Sequence, residues 1–253
     1  MKFVSVAAAI AATLCAGSMA PCAQGAEINV FVSGAMRRAY DTVAPQFERA
    51  SGHKLVSQYA LPPDLIKKME AGEPFDVMLL SYDVEGLVKQ GKLAANSRTV
   101  VGRSGIGIAV RQGTAKPDFS TVEAFKRSLL AAKTIGTSGE GSSGRYIAGL
   151  IERLGIAEQV KPKIRSGGPG ESARLLSRGE VDFVVSALPP LLGPTNIEWL
   201  GYIPEEIQSW IVFSGGLSVT AKEPEAGRSL LNFLVSPAAA AVFRENGIDP
   251  VTP

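Results

Sequence analysis

Apolar positions along this chain alternate between two periods. Residues 28–33 form a continuous apolar run with β-branched members, which predicts a strand. Residues 35–50 then place Met36, Tyr40, Val43 and Phe47 three or four apart, the spacing of one helix face. Gly52 follows, where a left-handed cap is wanted. The pattern then predicts a strand over 54–60 and a helix over 64–70, opened by Pro63 and closed by Gly72. A strand over 76–80 and a helix over 83–90, stopped by Gly91, come next. The run Asp-Val-Met-Leu-Leu at 76–80 is continuous enough for burial on both faces. Such strand–helix–strand alternation implies a parallel sheet covered by helices.

Residues 100–110 are β-rich, are interrupted by Gly102, Gly105 and Gly107, and run longer than one strand needs. They are suited to carry the chain from one lobe to another. The alternation restarts beyond them: helical at 121–132, extended at 134–137, helical at 143–154, extended at 163–165, helical at 169–177 and a strand at 181–186. A second extended stretch, 211–220, contains the pair Gly215-Gly216, and two helices close the chain at 223–235 and 237–245, the latter capped by Ser236. Two sheets with two crossings predict an α/β protein of two lobes, each a mainly parallel sheet covered by helices with the ligand crevice between them. Lobe 1 is expected at 26–103 plus 210–253 and lobe 2 at 104–209. A single doubly wound sheet built from the same elements is the alternative.

The first 25 residues do not fit this alternation. Lys2 is their one charge, and the apolar run 3–16 is too short to span a bilayer comfortably. Ala23-Gln24-Gly25 puts small residues at the −3 and −1 positions of a cleavage site, so a signal peptide cut after Gly25 is expected, with periplasmic location. A retained N-terminal anchor is the alternative. Neither Cys15 nor Cys22 has the leucine three residues upstream that a lipoprotein signal needs. Both lie inside the expected signal, so the mature chain is expected to lack disulfides, thiol catalysis and cysteine metal sites. The remainder of the 253 residues suffices for two lobes of about a hundred residues each.

A formal net charge of +2, one unit less without Lys2, gives no footprint for nucleic acid or a membrane surface. The single histidine, His53, sits in a turn at the end of the sheet opposite the expected crevice. No metal site and no cofactor are expected, and a monomer is.

Candidate chemistry gathers at four strand-to-helix junctions: Ser33-Gly34-Ala35, Gly139-Glu140-Gly141-Ser142-Ser143-Gly144-Arg145, Ser166-Gly167-Gly168-Pro169-Gly170-Glu171-Ser172, and Ser186-Ala187. Carboxyl ends of parallel strands are where ligands bind in such sheets. Helix starts there present unpaired N–H groups and the positive end of the helix dipole, and serine hydroxyls add donors. The sum is a site for an oxyanion or carboxylate. Arg37 and Arg145, beside two junctions, favour a carboxylate, which a guanidinium grips in bidentate fashion. The candidate contacts are Ser33, Gly34, Ala35, Arg37, Ser142, Ser143, Gly144, Arg145, Gly168, Gly170 and Ser186, with Tyr59 and Tyr146 as further candidates. The glycine-rich runs lack the lysine of a phosphate loop and the spacing of a dinucleotide fingerprint.

The order of these segments resembles the molybdate-binding proteins of ABC importers, within the type II periplasmic-binding superfamily. The resemblance rests on Ser33-Gly34-Ala35-Met36, on residues 65–77 with their Gly-Glu-Pro-Phe-Asp segment, on Ser143-Gly144-Arg145-Tyr146, on Gly179-Glu180-Val181-Asp182, and on residues 231–237. It implies a receptor that captures a small anion by lobe closure and delivers it to an ABC importer permease. Closure would bring the turn at 33–36 against those at 142–145 and 168–172. The family's first ligand serine falls on Ala35, and its second falls on Leu61-Pro62-Pro63, which lacks a hydroxyl and has fewer N–H donors. Poor molybdate binding and a changed ligand, more readily a carboxylate, follow. The same branch includes periplasmic aconitate isomerase, an enzyme that moves a proton across an allylic tricarboxylate. In that alternative Glu171, Tyr59 and Glu140 are the candidate bases.

Overall fold

The computed structural model describes residues 25–251, so the expected signal peptide and both cysteines lie outside the described residues. Strand β1 (Glu27–Ser33) runs into a 3-10 turn and helix α1 (Arg37–Ser51), which buries Ala39, Tyr40, Val43 and Phe47. Gly52 ends α1 at φ 76°, a left-handed position that a side chain would strain. Strand β2 (Lys54–Ala60) and helix α2 (Pro62–Glu70) follow. Both Pro62 and Pro63 sit in the first turn of α2, where their missing N–H groups cost no helical bond. Strand β3 (Val77–Leu80) is buried along its whole length, and helix α3 (Glu85–Lys89) is short. Strands β2 and β3 flank β1, both parallel to it.

Strand β4 (Thr99–Arg111) joins two sheets. Residues 99–105 pair with strand β9 (Trp210–Leu217), which is antiparallel to β3. Residues 106–111 pair with strand β7 (Phe183–Ala187) and strand β8 (Ile197–Tyr202) in the second sheet. The glycines of β4 have a packing reason. A Cβ on Gly105 would lie 2.7 Å from the Tyr202 ring, and one on Gly107 would lie 2.1 Å from the Trp199 ring. Both positions must stay bare for the aromatic residues of the second lobe to cover the crossing strand.

The second lobe contains helix α4 (Val122–Ala131), strand β5 (Ile135–Gly136), helix α5 (Ser142–Arg153), helix α6 (Ala157–Val160), strand β6 (Ile164–Arg165) and helix α7 (Glu171–Ser177). Strand β5 lies between β6 and β7, parallel to both. Helix α8 (Pro224–Leu234), helix α9 (Pro237–Glu245) and strand β10 (Asp249–Pro250), which pairs with β4, return to the first lobe. Ser236 caps α9 by accepting from the Ala239 amide at 3.3 Å. Parallel pairing thus holds for β1–β3 and β5–β7, whereas β4, β8, β9 and β10 pair antiparallel.

Asp76, in the segment carrying part of the family resemblance, is 1% exposed. Its Oδ2 accepts from the Asn29 amide at 2.8 Å, and its Oδ1 accepts from the Lys222 and Glu223 amides at 2.7 and 3.0 Å. One carboxylate therefore ties β1 to the start of α8, a structural duty.

Candidate functional site

Strand ends of both lobes meet at a layer of serine hydroxyls. Ser33 ends β1 and donates from Oγ to Ser81 Oγ at 3.0 Å. Ser81 follows β3 and stands 3.0 Å from Ser142 Oγ, at the first residue of α5. Inside the second lobe, Ser138 Oγ accepts from the Gly144 amide at 2.7 Å and pairs with Ser143 Oγ at 2.8 Å. Ser143 Oγ reaches Ser186 Oγ at 3.4 Å. The loop before α5 turns at Gly139, φ 53°. A Cβ on Gly144 would lie 2.1 Å from the Gly139 carbonyl, so this glycine lets the helix seat on the loop.

These groups enclose a cavity of about 30 Å³. Six serines line it: Ser33, Ser81, Ser138, Ser142, Ser143 and Ser172. Ala35, Leu61, Pro62, Gly168, Pro169, Gly170, Pro190 and Ile211 supply apolar or backbone wall. Helix geometry leaves the first-turn amides of α5 without intrahelical acceptors, and the Gly144 amide is already taken by Ser138. Hydroxyls and amides here can donate to an anion in a space largely shielded from water, where such bonds are strong.

Of the residues expected from sequence, Ser33, Ala35, Ser142, Ser143, Gly168 and Gly170 line this cavity. Ser186 touches it through Ser143, being fully buried. Gly34 lies at its edge, where an added Cβ would come within 2.3 Å of Pro169 Cβ. The charged candidates stand outside. Arg37 is exposed, pairs with Asp41 at 3.4 Å and lies over the Tyr59 ring at 4.7 Å. Arg145 is exposed too; its charge acts on the half-buried Tyr82, whose pKa burial raises and Arg145 opposes. Tyr146 donates to the Ile207 carbonyl at 2.7 Å, bracing α5 against the return segment after β8.

None of the three candidate bases lines the cavity. Arg174 and Arg178 grip Glu171 and hold its carboxyl below the usual range. Glu140 is exposed. Tyr59 donates to Asp41 on the outer face of α1, and burial followed by that bond raises its pKa. Ser81 and Ser138 were not among the sequence candidates. Ser81 ends a strand without a glycine beside it, and Ser138 sits one residue before a glycine-rich junction. The strand-end rule alone would have found both. No group of three or more metal-ligating side chains occurs among the described residues.

Two mixed sheets joined by a shared strand, with a serine-lined cavity between the lobes, define a solute-binding protein of the type II periplasmic-binding fold. The chain belongs to the bacterial extracellular solute-binding protein family, whose model matches residues 28–249. It is 32% identical to an aconitate isomerase from Pseudomonas sp. over 231 residues, 88% of either chain. It is 24% identical to the molybdate-binding protein ModA of Azotobacter vinelandii over 241 residues, covering 92% of this chain and 93% of that one. Among solved structures, the periplasmic molybdate-binding protein of Azotobacter vinelandii superposes with a TM-score of 0.73 at 17% identity, covering 89% of this chain and 99% of that one. The sulfate-binding protein SubI of Mycobacterium tuberculosis superposes with a TM-score of 0.72 at 18% identity, over 90% and 88%. These superpositions share the fold.

Proposed function

We propose that this protein captures a small carboxylate between its lobes and delivers it to an ABC importer permease. Six serines around one small interlobe cavity carry the reading. At about 30 Å³ the enclosed cavity is compact and suits one small anionic group. Ala35 and Pro62, without side-chain or amide donors to spare, favour a carboxylate over a tetrahedral oxyanion. A periplasmic monomer, matured by cleavage after Gly25, completes the reading; N-terminal sequencing that returned Met1 would remove that part. A thermal-shift screen of molybdate, sulfate and mono-, di- and tricarboxylates tests the rest. A ligand at a hundredfold excess over Kd stabilises by about 2.7 kcal/mol, well within detection. Stabilisation by molybdate or sulfate alone would overturn the carboxylate assignment.

A second reading, conversion of trans-aconitate to its cis isomer, is favoured by the relative at 32% identity. That reaction needs a base for carbon-bound hydrogen. The cavity lining consists of serine, glycine, proline and aliphatic side chains, with no carboxylate or imidazole among them. Binding therefore fits the geometry better than turnover. Incubation of the mature protein with trans-aconitate, followed by proton NMR, separates the two: appearance of the cis isomer establishes the enzyme.

A further inference from the structure

A second cleft opens directly outside the serine cavity, sharing Ala35, Pro169, Gly170 and Pro190 with it. Its volume is about 470 Å³, within the range of small-molecule pockets (roughly 300–1,000 Å³), whereas the inner cavity at about 30 Å³ is far below it. Three guanidinium groups line this outer cleft, against one carboxylate, Asp41. Arg37 and Arg38 stand on the first turn of α1, in the first lobe. Arg174 stands on α7, in the second. Each is held by a local contact. Arg38 Nε donates to Asn246 Oδ1 at 2.8 Å. Arg174 Nε donates to Glu171 at 2.7 Å, and its Nη2 donates to the Pro169 carbonyl at 3.1 Å. Asp41 offsets Arg37 and Glu171 offsets Arg174, while Arg38 is bonded to a neutral amide, so the cleft keeps a positive excess.

We infer that the outer cleft is a second anion subsite, and that the ligand is a di- or tricarboxylate whose first carboxylate enters the serine cavity while the others meet Arg37, Arg38 and Arg174. This inference rests on the proposed inner carboxylate site and names the class of acid it takes. The inner cavity is small, and the cleft that shares its wall gives the remainder of an organic acid room to project. There the arginines of both lobes face it, and an acid with several carboxylates bridges them. A monocarboxylate in the inner cavity makes no bond to the arginines, and the difference sets specificity.

The test uses calorimetry at low salt with three probes: propionate, succinate and propane-1,2,3-tricarboxylate. Affinity in the parent protein is expected to rise with carboxylate number. Arg37→Ala/Arg174→Ala is expected to weaken the tricarboxylate by about tenfold or more and to leave propionate within about twofold, as loss of charge-assisted bonds from distal carboxylates requires. Arg37→Lys/Arg174→Lys is expected to retain part of the advantage, because charge survives while the planar fork is lost. If the double alanine variant melts early, Arg37→Ala alone carries the comparison, since its exposed ion pair contributes little to stability. Equal losses for all three acids, or no loss, overturn the outer subsite. Ser142→Ala separates the two levels. If it weakens all three acids while the arginine variants weaken none, the inner site stands and the outer one falls. If no acid binds the parent protein, both fall.

Discussion

Ser81 and Ser142 place their hydroxyls 3.0 Å apart although one follows a strand of the first lobe and the other opens a helix of the second. This bond closes the crevice, and its two oxygens face the cavity that the lobes enclose. Ser142 makes no other side-chain bond among the described residues, so Ser142→Ala is expected to fold with a loss of about 0.5–1.5 kcal/mol. Carboxylate binding is expected to weaken by roughly 1.5–3 kcal/mol, tenfold or more, as for a lost bond to a charged group. A double-mutant cycle with Ser81→Ala, read by calorimetry and melting temperature, checks the coupling. Ser143 suits this purpose less well, being 5% exposed and bonded to both Ser138 and Ser186.

Gly34 and Pro169 pack closely at the cavity edge. A Cβ on Gly34 would lie 2.3 Å from Pro169 Cβ, and the proline ring cannot swing away. Gly34→Ala is therefore expected to keep the melting temperature of the ligand-free protein but to hold the lobes apart. Small-angle scattering should show the parent contracting with ligand and the variant failing to contract, with affinity lowered. Full closure of the variant would mean that the neighbouring turn yields more easily than the contact implies.

Asp76 contributes to stability, not to the site. Asp76→Ala leaves three amides, those of Asn29, Lys222 and Glu223, without their acceptor. A loss of about 3 kcal/mol or more in urea unfolding is expected, from bonds to a charged group worth roughly 1.5–3 kcal/mol each and not fully additive. Affinity measured on the fraction still folded should equal that of the parent.

The acid limb of stability should depend on Asp83. Arg98 donates to it from Nε at 2.7 Å and holds its carboxyl below the ordinary 3.8. A depressed folded-state pKa stabilises the fold above the unfolded value, and that contribution disappears as pH falls through the folded one. Asp83→Asn should therefore lower the melting temperature at pH 5 and above, and the gap to the parent should close below the ordinary 3.8. A gap that persisted unchanged at low pH would show that shape, not charge, is what the substitution removes.

The alternation of strands and helices was legible because each element carries its own period and punctuation. Gly52, Pro63 and Ser236 mark boundaries that the structure reproduces within a residue or two. Strand β8 escaped: it is six residues long and half-buried along most of its length, so neither alternation nor a buried run marks it. The antiparallel pairing of β4 escaped for another reason, since the period within a strand does not report the direction of its neighbour. At the site, glycine-rich junctions announced Ser33, Ser142 and Ser143. Arg37 and Arg145 lie close to them in sequence, but neither lines the cavity, because a residue one turn further along a helix points elsewhere. Long-range pairs such as Ser33 with Ser81 need the register of the sheet, which no local pattern contains.

Tetrahedral oxyanions provide the sharpest test of the cavity. Molybdate or sulfate needs donors around four oxygens, each charge-assisted bond contributing on the order of 1.5–3 kcal/mol. Here Ala35 presents a methyl group, and the first turn of α2 begins with two prolines that have no amide to offer. The serines that remain already bond to one another in a space of about 30 Å³. Admitting four oxygens would require the lobes to separate and the Ser81–Ser142 bond to break without enough donors in return. Molybdate and sulfate are therefore expected to bind at least about tenfold more weakly than the best polycarboxylate, a difference of roughly 1.4 kcal/mol or more. Ala35→Ser should narrow that gap by restoring one hydroxyl at the cavity wall. Calorimetry on both proteins decides it: submicromolar molybdate affinity in the parent would show that backbone amides and the remaining serines suffice, and that cavity size does not select the ligand.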